Sequence, residues 1–308
     1  MKIYNSIFDF ASNHKTTLTL GTFDGVHLGH KKIIERLIGS SNSTGFENAV
    51  LTFFPHPRMV LQKDTDIKLL NTISERITLL QKTGIDNLII HPFNQDFSRL
   101  SAHEFVEEIL VKQLNIGKII IGYDHRFGRN RTANIDDLIA FGQEFGFEVE
   151  QISAQEIDEV SVSSTKIRTA LEAGKIPLAN EYLGYSYFLT GTVIEGRKMG
   201  RTIGFPTANI AIEENYKLIP KIGAYIITAQ IKGNTVQGMM NIGFNPTVHG
   251  KHLTIEAHFF NFNETIYGES IQVDILERIR DEQKFPSVEA LQQQLEQDKQ
   301  FSRTFFKL

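Results

Sequence analysis

The stretch Thr17–Gly39, TLTLGTFDGVHLGHKKIIERLIG, runs from a short apolar strand pattern through a glycine-rich turn into an amphipathic helix pattern. Glycines in such a turn let backbone N–H groups approach a ligand closely, and the N-terminus of the following helix favours an anion. His27 and His30 stand three residues apart where the helix begins. Since imidazoles can donate hydrogen bonds to phosphate oxygens, the stretch predicts a triphosphate site.

Two other interpretations of this stretch stay open on the residues alone. The turn can be a plain glycine-rich connection that carries two surface histidines. A zinc site is disfavoured, because the spacing supplies two nitrogen ligands and the neighbouring sequence offers no third or fourth.

The order of strand and helix seen in this stretch recurs from Thr16 to about Leu183. Five alternations of a short apolar run and a longer helical pattern predict a parallel sheet covered by helices, an α/β fold of Rossmann-like type. Ligands of such sheets bind beyond the carboxyl ends of the strands, where the chain order reverses. The predicted strands are TLTLG, AVLTFF, NLIIHPF, KIIIGY and FEVEQI.

From Tyr185 to about Arg280 the pattern changes to period-two runs separated by Gly, Asn and Pro. A long helical pattern returns only near the end, in SVEALQQQLEQDKQFSRTFF. This arrangement predicts a small antiparallel barrel or sandwich closed by one C-terminal helix. We therefore expect two domains, 1–183 and 184–308, which agrees with a length of 308 residues at ~150 residues per domain.

The composition excludes several classes of protein. Apolar residues make up 41% of the chain and charged residues 22%, as in globular proteins. A net charge of −4 offers no basic field for nucleic acid, and the lack of cysteine excludes disulfides, thiolate nucleophiles and iron–sulfur clusters. The N-terminal segment lacks the apolar run of a secretory signal, and no segment reaches ~18 uninterrupted apolar residues. We therefore expect a cytoplasmic protein without a membrane partner.

Several ordered motifs along the chain resemble one family. The pattern G-x-F-D-G-V-H-x-G-H is similar to the first motif of the HxGH nucleotidylyltransferases, and in this flanked form it resembles the prokaryotic bifunctional riboflavin kinase/FAD synthetases. Further similar stretches are TFFPHPR (Thr52–Arg58), IIIGYDHRFGRNR (Ile119–Arg131), VSSTKIR (Val162–Arg168) and, as in the ATP-binding motif of riboflavin kinases, GRKMGRTIGFPTANI (Gly196–Ile210). The resemblance covers essentially the whole chain.

For the first domain, the resemblance implies that His27 and His30 contact ATP phosphates and take part in catalysis. Such chemistry requires no general base, because the attacking FMN phosphate is already an anion and needs alignment and charge neutralisation. The SSTKIR stretch predicts a second helix N-terminus for phosphate, with a plain N-cap and a surface arginine as the alternative. The expected ATP and phosphate residues are Gly21, Phe23, Gly25, Gly29, Ser163, Ser164, Thr165 and Arg168.

The resemblance also implies a flavin site. In YDHRFGRNR, Asp124 and Phe127 match the family, whereas His125 stands where the family usually has an aromatic residue. His56, between two prolines, and Arg278, in a stretch RIRDEQKFPS that matches the family, complete the expected flavin contacts. A solvated basic turn around Phe127 and a structural turn around His56 are the alternatives.

For the second domain, the resemblance implies that Thr207 and Asn209 ligate or orient Mg²⁺ and ATP phosphates beside Gly200. Polar and apolar residues alternate in the predicted strand LTIEAHFF, so Glu256 and His258 share one face. If the apolar residues of the other face point into the core, Glu256 lies at a cavity mouth. Riboflavin kinases have their candidate base at the position of Glu256, and a kinase needs a group that accepts the hydroxyl proton. A solvated strand glutamate is the alternative.

These observations predict a bifunctional transferase. Its barrel would phosphorylate riboflavin to FMN with ATP, and its first domain would transfer an adenylyl group from ATP to FMN, giving FAD and pyrophosphate. The expected partners are riboflavin, FMN and ATP, with Mg²⁺ as cofactor. The alternatives are a single-activity nucleotidylyltransferase with a flavin-binding β-domain and a non-catalytic flavin sensor.

Overall fold

A computed structural model of the chain describes residues 1–61, 66–123, 126–153, 162–196, 199–247 and 250–308. The chain forms two compact units, Met1–Ser164 and Thr165–Leu308. The boundary expected from the sequence lies later, at 183/184. The helical segment before that boundary joins the second unit, because the Leu171 carbonyl accepts from the Lys221 N–H (3.1 Å) and Asn180 Nδ2 donates to the Ile275 carbonyl (2.9 Å).

The first unit contains a six-stranded parallel sheet in the order β1-β4-β3-β2-β5-β6. The five predicted strands are confirmed, and the short edge strand β1 was not predicted. Because β3 lies on one side of β2 and β5 on the other, the chain order reverses next to β2. The strands are β1 Lys2–Tyr4, β2 Thr16–Leu20, β3 Glu47–Phe53, β4 Asn87–His91, β5 Ile116–Gly122 and β6 Glu148–Ile152.

Helices cover this sheet, and their ends follow local capping chemistry. Thr72 and Glu75 form a capping box at the start of α3, and α1 ends at Gly45, whose φ of 72° suits glycine. The helices are α1 Leu28–Thr44, α2 Pro57–Leu61, α3 Ile73–Gln81, α4 Ala102–Glu104 with the π-helix Phe105–Gln113, and α5 Ile135–Phe145, besides 3₁₀ turns at Ile7–Asp9, Phe97–Arg99 and Arg129–Arg131.

The core of the first unit lies on the central strands. All five residues of β2 and of β4 are buried, as expected for parallel strands covered on both faces. Leu18, Leu51, Ile89 and Ile119 belong to one hydrophobic cluster that the covering helices complete. The carboxyl end of β2 is therefore a rigid place from which the following turn departs.

The second unit contains a closed antiparallel barrel in the order β10-β11-β8-β7-β12-β9, so the barrel was predicted correctly and the sandwich is excluded. The strands are β7 Phe188–Ile194, β8 Ala208–Ala211, β9 Gly223–Ile231, β10 Asn234–Thr247, β11 Gly250–Phe259 and β12 Ser270–Arg280. The helices are α6 Ser164–Glu172, α7 Ile176–Leu183, α8 Met199–Thr202 and α9 Val288–Phe306.

Helix α9 is the predicted C-terminal helix, and a buried ion pair attaches it to the barrel. Asp298 is 3% exposed and accepts hydrogen bonds from Arg280 of β12 at 2.7 to 3.0 Å. Within the described ranges, no helix combines the length and the apolar composition needed to cross a membrane.

Candidate active sites

The turn between β2 and α1 places two histidines side by side. His27 is the N-cap of α1, where its Nδ1 accepts a hydrogen bond from the backbone N–H of His30 at 3.4 Å. The two imidazole rings stack with centroids 3.6 Å apart, and the ring of Phe23 lies 5.0 Å from that of His30. Because Nδ1 of His27 accepts, a neutral His27 carries its proton on Nε2, which makes Nε2 a donor.

Burial lowers the pKa of His30 well below its usual value, and electrostatic interactions with His27 and Arg76 lower it further. His30 is therefore neutral at pH 7. Its Nδ1 is buried, and no hydrogen-bond partner for that atom occurs in the part of the chain that the structure describes. A buried polar atom without a partner is costly, so this atom is suited to meet a ligand.

The backbone of the turn is strained. Phe23, Gly25 and Val26 have φ values of 47°, 91° and 37°, which only glycine adopts freely. A non-glycine residue held in such a conformation costs on the order of 1–3 kcal/mol, and strain of this kind clusters at functional sites. Gly21 also fits the turn closely, because a Cβ at this position would lie 3.3 Å from the Phe23 ring, and Gly29 is buried in α1.

A buried carboxylate holds the turn in place. Asp24 Oδ1 accepts hydrogen bonds from the N–H groups of Leu70 at 2.9 Å and Asn71 at 3.3 Å. The Arg76 Nη2 atom of α3 lies 3.9 Å from the same oxygen, and both side chains are almost completely buried. Taking two charges out of water is tolerable only when they compensate each other, so Asp24 and Arg76 depend on one another.

Ser164, the last residue of the first unit, contacts the same turn. The Ser164 hydroxyl donates a hydrogen bond to the Asp24 carbonyl at 2.9 Å. The predicted helix N-terminus is therefore observed, with Ser163 immediately before it and with Thr165 and Arg168 in its first turns. The phosphate roles of these side chains stay predictions.

Two of the expected flavin residues, His56 and Phe127, contact other residues of the first unit. His56 is buried and its Nδ1 accepts from the Arg58 N–H at 3.1 Å, next to α2. Phe127 is 7% exposed and packs in the hydrophobic core, with its ring 6.1 Å from that of Phe105. Asp124 lies outside the described residues, as does the neighbouring position 125.

Arg278 of β12 packs against backbone in the second unit. Its Nη2 donates to the Ile222 carbonyl and to Asp281 Oδ1, both at 2.7 Å. A Cβ at Gly174 or at Gly223 would lie 2.7 Å from the Arg278 side chain, so two glycines make room for it. These contacts give Arg278 a structural role, and its expected flavin contact stays a prediction.

In the barrel, three expected site residues converge. The Thr207 hydroxyl donates a hydrogen bond to Glu256 Oε2 at 3.2 Å. Asn209 of β8 is the register partner of Glu256 of β11, so their side chains share a face of the sheet. The backbone of Gly196 packs directly on the Asn209 amide, where a Cβ would overlap it. A side chain at position 196 would displace the Asn209 amide from this place.

The predicted alternation of β11 is observed, with Ile255, Ala257 and Phe259 buried and Glu256 half-buried. A small cavity lies on the side of Ala257 and Phe259, with Thr207 in its wall. Glu256 is not among the residues that line this cavity, and its expected place at a cavity mouth stays a prediction. Side chains alternate across a strand, and Glu256 borders the cavity through its hydrogen bond to Thr207.

The wall of this cavity also contains Arg201, which belongs to the predicted ATP-binding stretch Gly196–Ile210, and Tyr267, which the sequence did not single out for a site. Arg201 Nη2 donates to the Tyr267 hydroxyl at 3.0 Å. Next to them, Gly200 of α8 accepts from the Phe205 N–H at 2.8 Å, and a Cβ at position 200 would overlap the Phe205 carbonyl. The backbone from Gly200 to Phe205 thus forms a hydrogen-bonded turn beside the cavity.

Asp24 and Arg76 were also missed as site residues. Asp24 stands inside the motif, but its short side chain gives no sequence sign of burial. For Arg76 a signal existed: in SERITLL it shares a helix face with Ile73 and Leu80, at the i, i+3 and i+7 spacing of a buried stripe. A charged residue in such a stripe indicates a buried partner.

Comparison with known proteins defines the class of enzyme. The family model for FAD synthetase matches residues 9–166, and the family model for riboflavin kinase matches residues 183–306. The two matches correspond to the parallel-sheet unit and the barrel. The chain therefore combines two transferase domains of flavin nucleotide synthesis.

Relatives with both domains cover nearly the whole chain. The bifunctional riboflavin kinase/FMN adenylyltransferase of Listeria monocytogenes is 40% identical over 94% of this chain and 92% of its own length. That of Escherichia coli is 32% identical over 100% and 99%. A solved Streptococcus pneumoniae structure, described as a macrolide-efflux protein, is 30% identical with a TM-score of 0.89 and covers 98% of both chains.

The chain belongs to the bifunctional riboflavin kinase/FMN adenylyltransferase family. It phosphorylates riboflavin to FMN and adenylates FMN to FAD, with ATP as the nucleotide substrate of both reactions. The predicted pair of activities is confirmed, and the alternatives of a single activity and of a flavin sensor are set aside.

The ion pair between Asp24 and Arg76 generates a stability prediction. Arg76→Met leaves the Asp24 carboxylate buried without its cation, so strand β2 should lose about 3 kcal/mol of protection. The measurement is the free energy of opening from amide hydrogen exchange in Thr16–Leu20. Arg36→Met is the matched control, since Arg36 is exposed and pairs with Glu150 at the surface, and its cost should stay below ~1 kcal/mol. Equal losses in both variants would contradict the buried pair.

The lowered pKa of His30 generates a second prediction. Below about pH 6.5 His30 binds a proton in the unfolded chain but stays neutral in the folded chain. The free energy of unfolding therefore falls as the pH drops below this value. In NMR spectra of ¹³C-histidine protein, the His30 ring resonance, assigned with His30→Gln, should not move between pH 8 and pH 6. A midpoint at or above 6.5 would refute the burial of this imidazole.

Proposed function

We propose that the turn from Gly21 to His30 is the adenylyl-transfer site. The observation that carries this assignment is the pair of stacked histidines at the start of α1, with the buried Nδ1 of His30 left without a partner among the described residues. The turn follows β2, where the strand order reverses, which is the usual ligand position in open parallel sheets.

The chemistry at this site needs positioned donors rather than a base. A phosphate oxygen of FMN attacks the α-phosphorus of ATP, the new O–P bond forms, and the bond to pyrophosphate breaks. His27 offers its Nε2 proton and His30 its own N–H to phosphate oxygens, while the helix N-terminus adds a partial positive charge. Donors that are already in place stabilise the developing charge without reorganisation.

We propose that the riboflavin kinase site lies where Thr207, Asn209 and Glu256 converge. The observation that carries this assignment is the hydrogen bond from Thr207, immediately before β8, to Glu256 of β11. Glu256 accepts the proton of the riboflavin hydroxyl while the hydroxyl oxygen attacks the γ-phosphorus of ATP. The bond to ADP breaks, and ADP leaves. The adjoining cavity, with Arg201 in its wall, takes part of the nucleotide.

We propose Mg²⁺ as the cofactor of the barrel site. The donors there are the hydroxyl of Thr207 and the amide oxygen of Asn209, and hard cations such as Mg²⁺ prefer oxygen ligands. Among the described residues, no group of three or more His, Cys, Asp or Glu side chains could hold a metal by itself. This fits Mg²⁺, which keeps several waters and binds through a few protein oxygens and substrate phosphates, where it neutralises phosphate charge.

We also propose a cytoplasmic location. ATP is the substrate of both reactions and is available there. The chain has no cysteine, so nothing in its covalent structure requires an oxidising compartment.

The two activities should separate by mutation. His30→Ala removes a donor to the transition state, so conversion of FMN to FAD should fall ~10²-fold or more while riboflavin phosphorylation continues. Glu256→Gln keeps the size of the side chain and removes the base, so riboflavin phosphorylation should fall ~10²–10⁴-fold while FMN is still adenylated. Chromatographic separation of riboflavin, FMN and FAD after incubation with MgATP measures both rates.

Each variant in this pair serves as the control for the other. Unchanged FAD synthesis in His30→Ala would place adenylyl transfer elsewhere. Near-normal turnover in Glu256→Gln would leave β11 as scaffold and require another base.

The metal assignment is tested by one hydroxyl. Thr207→Ala loses a ligand, so the KM for MgATP in riboflavin phosphorylation should rise by about tenfold and kcat should fall, whereas Thr207→Ser, which keeps the hydroxyl, should stay near wild type. Binding of Mn²⁺ with ADP, followed by electron paramagnetic resonance, should weaken in the alanine variant alone. Equal Mn²⁺ binding in both variants would remove Thr207 from the metal site.

A further inference from the structure

A histidine beside the kinase site has a specific contact that the reaction just described does not use. His258 of β11 lies on the same face as Glu256, two residues further along the strand. Its Nδ1 is 2.8 Å from the carbonyl oxygen of Pro206, the residue immediately before Thr207. The segment from Phe205 to Thr207 is thus attached to β11 directly before the hydroxyl that is proposed to bind the metal.

The chemistry of this contact determines where the histidine proton lies. A carbonyl oxygen only accepts, so Nδ1 of His258 must carry the hydrogen and donate it. Burial lowers the pKa of His258, so the neutral ring with its proton on Nδ1 is the form present at pH 7. The charged groups near the ring are Lys299 and Glu296 of α9, which have opposite signs.

Three contacts together hold the short segment from Phe205 to Thr207. The Phe205 N–H donates to Gly200, the Pro206 carbonyl accepts from His258, and the Thr207 hydroxyl donates to Glu256. Proline has no N–H, so its carbonyl is the one backbone group through which residue 206 can be held. Without the contact to His258, nothing in this set fixes the peptide plane that leads into Thr207.

We propose that His258 is a positioning residue for riboflavin phosphorylation, which through its Nδ1–H hydrogen bond to the Pro206 carbonyl sets the place of Thr207 relative to Glu256. This inference rests on the kinase site proposed above. A displacement of about 1 Å in a positioning group can cost as much as ~10²-fold in rate, so one hydrogen bond at this point is sufficient to matter.

The aromatic surroundings of His258 allow another explanation, which the test must separate. Its ring lies 5.3 Å from that of Phe205 and 5.8 Å from that of Phe260, both in edge-on arrangements. The Lys299 ammonium also lies 5.6 Å from the Phe205 ring. Ring packing alone could hold the segment against β11 and α9, with the hydrogen bond as a by-product.

Two substitutions at position 258 separate hydrogen bonding from packing. His258→Asn keeps a donor, because the Asn amide nitrogen and the His Nδ1 are both bonded to Cγ, but it loses the ring. His258→Phe keeps the ring and loses the donor. We expect kcat/KM for MgATP in riboflavin phosphorylation to fall ~10–100-fold in His258→Phe, through a higher KM for MgATP and a lower kcat. The KM for riboflavin should change little. His258→Asn should recover activity to within about threefold of wild type.

The full-length chain supplies an internal control, because conversion of supplied FMN to FAD should be unchanged in both variants. Full activity in His258→Phe would show that ring packing holds the segment. An equal loss in both variants would show that a donor without the ring does not position Thr207. Either result would overturn the inference. If His258→Phe loses FMN adenylation or its cooperative thermal transition, His258→Leu replaces it as the variant without a donor, under the same criteria.

Failure of this inference is distinguishable from failure of the proposed kinase site. If Glu256→Gln and Thr207→Ala abolish phosphorylation while His258→Phe does not affect it, the site stands and only the role of His258 is refuted. If all three variants phosphorylate riboflavin normally, the kinase site itself lies elsewhere.

Discussion

The proposed adenylyl-transfer site depends on one buried carboxylate. Asp24 receives two backbone N–H groups from the segment before α3, lies beside the guanidinium of Arg76, and offers its own carbonyl to Ser164. A turn that contains two non-glycine residues at positive φ would relax if it were held only at its ends. The electrostatic cost of leaving Asp24 or Arg76 unpaired in the interior keeps the turn in this shape, and the histidines inherit their positions from it.

The barrel holds its irregular segment by hydrogen bonds in place of a buried ion pair. Its segment from Phe205 to Thr207 contains a proline and is held by hydrogen bonds to α8 and to β11. The strand β11 is rigid because β8 and β10 pair with it on both sides and its apolar side chains face the core. In both units, a strained or irregular segment contains the proposed site residues. Hydrogen bonds or ion pairs to a neighbouring helix or strand hold that segment in place.

Much of the fold could be predicted from the sequence, because the deciding signals are local. The apolar runs of β2 to β6 and the alternation in β7 and β9 to β12 are visible in short windows, as is the histidine motif between β2 and α1. Other features depend on distant partners. The edge strand β1 has only three residues and is defined by its pairing with β4. Phe127 packs in the hydrophobic core and Arg278 donates to the Ile222 carbonyl, contacts that no local pattern shows, and the expected flavin contacts of both residues stay predictions.

The sequence by itself determined the two-domain class, the strands and the residue types at each candidate site, since periodicity and turn chemistry act over a few neighbouring residues. Only the tertiary structure decided that His30 is buried and neutral, that Arg76 lies next to Asp24, and that Pro206 is held by His258. The residues of each pair lie about 50 positions apart in the chain. Their distance is set by how helices and strands pack, and no local pattern carries that information.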